Sequence, residues 1–116
     1  MRYEEIRTIA LSFPNVSEHE VFGTPTLRVG KRFFVCIAKI DPNTLCVKVL
    51  NPLERDYLLA TQPDIYYLTD HYANFEAVLV RMALITRDEL FNLLENSWLS
   101  LATKKAAAAY KAAKSS

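Results

Sequence analysis

The chain predicts an α+β domain of two layers, an antiparallel sheet with helices on one face. Three observations predict it. Two tight turns, Gly30-Lys31 and Asp41-Pro42-Asn43-Thr44, join three β-rich runs into a meander. Apolar residues recur at helical spacing near both ends of the chain, Tyr3 to Phe13 and Leu90 to Leu101. A chain of 116 residues, 51% of them apolar, can bury a core without a metal or disulfide staple. The expected order is α-β(3 or 4)-α-β(2)-α, one domain over residues 1–103 followed by an Ala/Lys-rich tail, 104–116.

Taken in order, Tyr3, Ile6, Ile9, Ala10 and Phe13 give residues 2–12 one apolar stripe, with Glu4 and Glu5 favourable in the first turn and Pro14 as the stop. Val16 to Phe22 reads as a short edge strand or an extended arm. Gly23-Thr24-Pro25 breaks it, because Pro cannot donate to a ladder. Thr26 to Val29 and Arg32 to Ile40 are strands joined by Gly30-Lys31, where Gly at the first central position suits a type II′ turn. Pro42 presets the next turn, and Leu45 to Leu50 is the third strand.

Asn51-Pro52 then reads as N-cap and first residue of a helix whose stripe is Leu53, Tyr57, Leu58 and Ala60, ended by Gln62-Pro63. Ile65 to Leu68 and Glu76 to Ala83 are strands. Thr86-Arg87-Asp88-Glu89 has the form of a capping box, stapled by Ile85 and Leu90. Leu90, Leu93, Leu94, Trp98 and Leu101 are the buried face of the last helix, with Trp98 on the core. The tail has helical propensity and no apolar stripe to dock it.

The turns also sort side chains by face, since opposed residues point the same way and alternate along a strand. The Asp41–Thr44 turn sets Ile40 opposite Leu45, Ala38 opposite Val47, Cys36 opposite Val49 and Cys46 opposite Lys39. The Gly30-Lys31 turn sets Leu27 opposite Phe34. One face then holds Leu27, Val29, Phe34, Cys36, Ala38, Ile40, Leu45, Val47 and Val49, with Arg32 at its rim: the helix-covered core. The other holds Thr26, Arg28, Phe33, Val35, Ile37, Lys39, Cys46 and Lys48. In this register the two thiols lie on opposite faces, unpaired and reduced.

Charge is distributed unevenly. All thirteen acidic residues lie within residues 1–103 against ten Lys and Arg, a net −3. Residues 104–116 carry Lys104, Lys105, Lys111 and Lys114 and no acid, a net +4. No apolar stretch approaches the ~20 residues of a membrane span and no secretory signal opens the chain, so a cytoplasmic protein with no membrane partner is expected.

Several segments resemble the YjbR-like family, also called MmcQ/YjbR. They are Phe13-Pro14-x-Val16-x-Glu18, Gly23-x-Pro25-x-Leu27-Arg28-Val29-x-Lys31-x-Phe33 and Leu45-x-Val47-Lys48. Further on come His71-Tyr72-x-x-Phe75-x-x-Val78-Leu79-Val80-Arg81 and Glu89-Leu90-x-x-Leu93-Leu94-x-x-x-Trp98. The resemblance covers about residues 5–100. It implies the two-layer, secretion-chaperone-like fold of that family and a DNA-binding label, and it brings no catalytic residues.

Two clusters are candidates for function. The basic face, Arg28, Phe33, Lys39 and Lys48, interleaves cations with an aromatic ring, as a nucleic acid requires of its binding surface. Arg81 joins it if it shares the face, and Lys104 and Lys105 assist from the tail. The alternative is a small-ligand or protein-interaction pocket formed by Tyr66, Tyr67, His71, Tyr72 and Phe75, with Asp70 tuning the imidazole.

The chemistry-bearing motifs of enzymes are missing from the sequence. It has no nucleophile elbow and no phosphate loop, so neither catalysis nor a cofactor is expected. No metal is expected either. Two His and two Cys fit no zinc spacing, and Glu18, His19 and Glu20 alternate across a strand rather than converge. Cys36 in the core and Cys46 without a nearby His have nothing to activate them.

Overall fold

The computed structural model describes residues 1–115. Helix α1 (Tyr3–Leu11) leads into strands β1 (Val16–Val21), β2 (Thr24–Val29), β3 (Arg32–Ile37) and β4 (Thr44–Lys48). Helix α2 (Pro52–Thr61), strands β5 (Tyr66–Tyr67) and β6 (Ala77–Arg81), and helices α3 (Arg87–Leu101) and α4 (Lys104–Ser115) follow. The six strands form one antiparallel sheet in the order β1-β2-β3-β4-β6-β5. The α+β architecture is the one expected, with the Val16 segment an edge strand and one helix more than foreseen.

The hairpin chemistry explains the first three strands. Gly30 has φ +59 and Lys31 stays out of the left-handed region, as a type II′ turn requires. One turn earlier, Phe22 and Gly23 both have positive φ, +52 and +77, which is the type I′ pattern. The break is therefore shorter than Gly23-Thr24-Pro25: β2 resumes at Thr24 and carries Pro25 opposite Glu20.

Register is where sequence reasoning fails, for two physical reasons. Leu27 pairs with Val35 but Arg28 with Phe33, so Phe34 is the extra residue of a β-bulge. Beyond the bulge the alternation of β3 is inverted. Val35 is fully buried and Ile37 packs on the main core, whereas Cys36 and Ala38 move to the opposite face. The second reason is the β3–β4 connection. Asp41 N–H donates to the Ala38 carbonyl (3.3 Å) and Thr44 N–H to the Asp41 carbonyl (3.1 Å), so two turns occur in succession. Strand β3 ends early and Ile40 is left exposed in the loop. Val35 then faces Val47 and Cys36 faces Cys46 directly, instead of Val49.

The main core lies between the sheet and the helices. Leu27, Val29, Phe34, Val35, Leu45, Val47, Val78 and Val80 meet Ile6, Ile9 and Ala10 of α1 and Leu90, Leu94 and Trp98 of α3. Trp98 is fully buried and its indole N–H donates to the Pro14 carbonyl (2.8 Å). Helix α2 begins at its Asn51 cap, whose Oδ1 accepts from Glu54 N–H (2.9 Å), but its stripe is narrower than expected. Leu58 is buried and Leu59 half-buried, whereas Leu53, Tyr57 and Ala60 face solvent.

At α3, Thr86 Oγ1 accepts from Glu89 N–H (3.2 Å), and Ile85 and Leu90 are both buried. Glu89 does not complete the box. Its carboxylate accepts instead from Tyr66 Oη (2.6 Å) and Gln62 Nε2 (3.1 Å). Arg32 donates to the Leu101 carbonyl (3.4 Å) at the C-terminal end of α3, where a cation is favoured.

The tail is docked, against expectation, by one aromatic ring. Tyr110 packs on Trp98 (4.9 Å between centroids) and Phe13 (5.9 Å). Its hydroxyl donates to Glu95 Oε2 (2.7 Å), which Lys114 also reaches.

Candidate ligand groove on the open sheet face

The face of the sheet turned away from the main core is built by alternation: Thr26 and Arg28 on β2, Phe33 and Cys36 on β3, Cys46 and Lys48 on β4, Ala77 and Leu79 on β6. Ala38, Cys46, Ala77 and Leu79 form a second, smaller buried cluster there, against which Phe33, Tyr67 and Tyr72 pack. The segment after β5 folds back over part of this face. Arg55 of α2 anchors it by donating to the carbonyls of Ala73 (3.2 Å) and Phe75 (2.6 Å). Between that segment and the β1–β2 hairpin lies a groove of about 610 Å³, within the usual size range of ligand sites.

The groove unites the two clusters that the sequence suggested separately. Arg28, Phe33, Lys39 and Lys48 line it together with His71, Tyr72 and Phe75. His71 packs edge-on against Tyr72 (5.0 Å) and Phe75 (5.7 Å), and Asp70 makes no hydrogen bond to it among the described residues. Burial raises the Tyr72 hydroxyl above the usual tyrosine range, so it is a neutral group at physiological pH.

The cations are unequal. Lys48 is paired with Glu76 (2.8 Å) and only 17% of its side chain is exposed, so its charge is largely neutralised in place. That hydrogen bond holds the Glu76 carboxyl below its ordinary range. Arg28 makes no ion pair among the described residues, and Lys39 lies over the Phe22 ring at 4.6 Å. Arg28 and Lys39 are therefore the cations available to an anionic ligand.

The other expected residues lie elsewhere. Arg81 shares the open face but stands at its far end, over the Tyr67 ring (4.2 Å), donating to the carbonyls of Pro63 (3.3 Å) and Asp64 (3.1 Å). Tyr67 is fixed there by Thr44 (2.9 Å). Tyr66 points into the main core. Lys104 and Lys105 are exposed on α4, which packs through Ala106 and Tyr110 on the helix-layer core, away from the groove. A second depression, about 710 Å³ beside the end of α2, is lined by Asp64 and Arg81, and that arginine is already committed to carbonyls.

Two residues of the groove, Cys36 and Glu76, and one at its rim, Phe22, are not legible in the sequence. Alternation places Cys36 in the core, because the bulge at Phe34 leaves no mark in it. Glu76 became the partner of Lys48 only through the β4–β6 pairing. Phe22, 89% exposed at φ +52, sits where Asn or Gly is normal, so the hairpin signal was masked. That combination of strain and exposure in a large apolar residue is the signal to look for.

Among the described residues no helix is long and apolar enough to cross a membrane. No group of three or more His, Cys, Asp or Glu among them converges on a metal-sized site.

Comparison with known proteins bears on fold and descent. The YjbR family pattern matches residues 11–100. An uncharacterized protein of Mycobacterium bovis is 38% identical over 55 residues, 47% of this chain and 43% of that protein. An uncharacterized protein of Mycobacterium tuberculosis matches over the same shares. The chain thus spans less than half the length of the curated relatives it matches. The crystal structure of Deinococcus radiodurans protein DR2400, with its DUF419 domain, superimposes with a TM-score of 0.73. The match covers 89% of this chain and 80% of that one at 22% identity, a likeness of fold.

Proposed function

The chain belongs to the YjbR family, and from that premise we propose that it is a non-catalytic binding module whose open sheet face takes a small, flat ligand carrying an anionic group. The observation that carries this reading is the meeting, in one groove, of an apolar floor and ring side chains with two cations, Arg28 and Lys39, that make no ion pair among the described residues. Phe33, Tyr72 and Phe75 offer stacking and burial, and the cations offer charge-assisted hydrogen bonds. A second reading, single-stranded DNA, is favoured by Phe22. Its ring stands free at the rim beside Lys39, an arrangement suited to stacking an unpaired base next to a phosphate.

Titrating the isotope-labelled chain with naphthalene sulfonate and with a nucleoside monophosphate tests the first reading by NMR. Amide shifts should concentrate at Thr26, Arg28, Cys46, His71 and Tyr72. The Arg28→Gln/Lys39→Gln double variant should lose roughly tenfold in affinity, about 1.4 kcal/mol. Its stability should change by no more than about 0.5 kcal/mol. Shifts confined to the helix layer, or unchanged affinity in the double variant, would overturn the proposal. For DNA, two phosphate contacts predict a log–log salt slope of only about −1.4 on a single strand. Tighter binding to a duplex than to the single strand would discard the second reading.

A further inference from the structure

We propose that Cys36 and Cys46 form an oxidisable dithiol on the groove floor: Cys36 attacks a small disulfide, and Cys46 resolves the adduct into a Cys36–Cys46 disulfide. The inference stands on geometry and does not depend on what else the groove binds. The two residues are directly opposed on β3 and β4. Ala38 N–H donates to the Thr44 carbonyl (2.8 Å), which marks Ala38 and Thr44 as a hydrogen-bonded pair. Two residues along, Cys36 and Cys46 are the next such pair, with Cα atoms about 5.5 Å apart. That lies in the middle of the range a disulfide spans, roughly 4.4–6.8 Å. Both are free thiols.

The pair is also asymmetric in the way a two-step exchange needs. Cys36 is half-buried and lines the groove, open to an incoming disulfide, while Cys46 is 5% exposed behind it. The adjacent Cys46 thiol does most to lower the Cys36 thiol, burial opposes it, and the positive charge of Lys39 adds to it, with a net shift toward the thiolate. The same contact pushes the Cys46 thiol up, so it keeps its proton while Cys36 is charged. Capping Cys36 removes that opposing charge and frees Cys46 to ionise.

The exchange balances as follows. The Cys36 thiolate attacks one sulfur of R–S–S–R, forming Cys36–S–S–R and expelling R–S⁻, which takes a proton from water. Cys46 gives up its proton to water and attacks the Cys36 sulfur, expelling a second R–S⁻, which is protonated in turn. The protein dithiol loses two electrons and two protons, and the external disulfide is reduced to two thiols.

The test treats the full chain with hydroxyethyl disulfide, an uncharged probe that needs neither Arg28 nor Lys39. Its failure therefore leaves the ligand reading standing. Mass spectrometry of the unreduced protein should find two hydrogens lost, no adduct, and one peptide linking Cys36 to Cys46. The Cys46→Ser variant should stop at a hydroxyethylthio adduct on Cys36, and Cys36→Ser should react at least about tenfold more slowly than the parent. Near-ultraviolet circular dichroism shows whether each variant is folded, and the parent's peptide map decides the matter if one is not. A parent that stops at the mixed disulfide, that cross-links only between chains, or whose two single variants react equally fast overturns the proposal.

Discussion

The two faces of the sheet are made from the same six strands and have little else in common. Leu45 and Cys46 are neighbours on β4, yet Leu45 lies fully buried against the helices while Cys46 floors a groove with polar side chains at its rim. The centre of the covered face is apolar and packed by α1 and α3, and its charged residues stand at the edge, Glu18 bonded to Arg7 of α1 and Arg32 to the Leu101 carbonyl. On the open face, apolar residues alternate in space with Arg28, Lys39 and the Lys48–Glu76 pair. The contrast teaches that one strand can carry a sealed core on one side and, on the other, the groove proposed to bind. A substitution within the covered core should therefore disturb stability and spare the groove.

Removing the Trp98 ring offers the hardest strike at the covered face. Trp98→Ala deletes a fully buried indole together with its hydrogen bond to Pro14, and should cost about 3–5 kcal/mol in denaturant unfolding. The folded fraction should still bind at the groove with parental affinity. A variant that melts like the parent would remove α3 from the core.

A smaller effect is expected at the seam between α4 and the covered face. Tyr110→Ala should cost roughly 2 kcal/mol, from ring contacts and one hydrogen bond to a carboxylate. The seam is also sensitive to pH. Burial and then the Glu95 hydrogen bond push the Tyr110 hydroxyl from 10.0 up to about 12. A group raised in the folded state stabilises fully below its unfolded pKa and loses that contribution as pH rises through the folded one. Stability should therefore fall between pH 10 and about 12, a window that Tyr3 shares for the same reason. Tyr110→Phe should flatten part of that fall in an alkaline unfolding series, and an unaltered profile would place α4 away from Tyr110's partners.

The smallest expected change has the opposite sign and sharpens the contrast most. Phe22→Asn puts at a left-handed backbone position the residue that type I′ turns favour, so stability should rise by about 0.5–1 kcal/mol. Single-stranded DNA should bind the same variant less tightly, because the ring beside Lys39 is gone. A variant both more stable and equally competent would show that Phe22 has no part in binding.

Most of the fold was legible because local chemistry and global packing agree. Gly30 in its type II′ turn, the Asn51 and Thr86 caps and the apolar stripes of α1 and α3 each point to the element observed. The site was half legible: Arg28, Phe33, Lys48 and the His71–Phe75 rings were recognisable as residue types, but not as one groove. Two backbone irregularities, the bulge at Phe34 and the double turn from Ala38 to Thr44, move Cys36 across the sheet and set it against Cys46. Neither leaves a compositional mark, since Phe34 and Val35 are both apolar and both buried. Helix α4 was unread for a similar reason. Only Ala106 and Tyr110 of it pack on the core, and two residues make no stripe.

The Tyr110 contact makes the twelve-residue helix α4 a cover over the core's aromatic edge. Phe13, Phe91 and Trp98 form an aromatic terrace, and α4 lies across it through Tyr110. A protease cutting after Thr103 would lift that cover and leave a sticky ring surface on an otherwise intact sheet. The Ala/Lys extension thus hides more apolar ring surface than its own composition suggests.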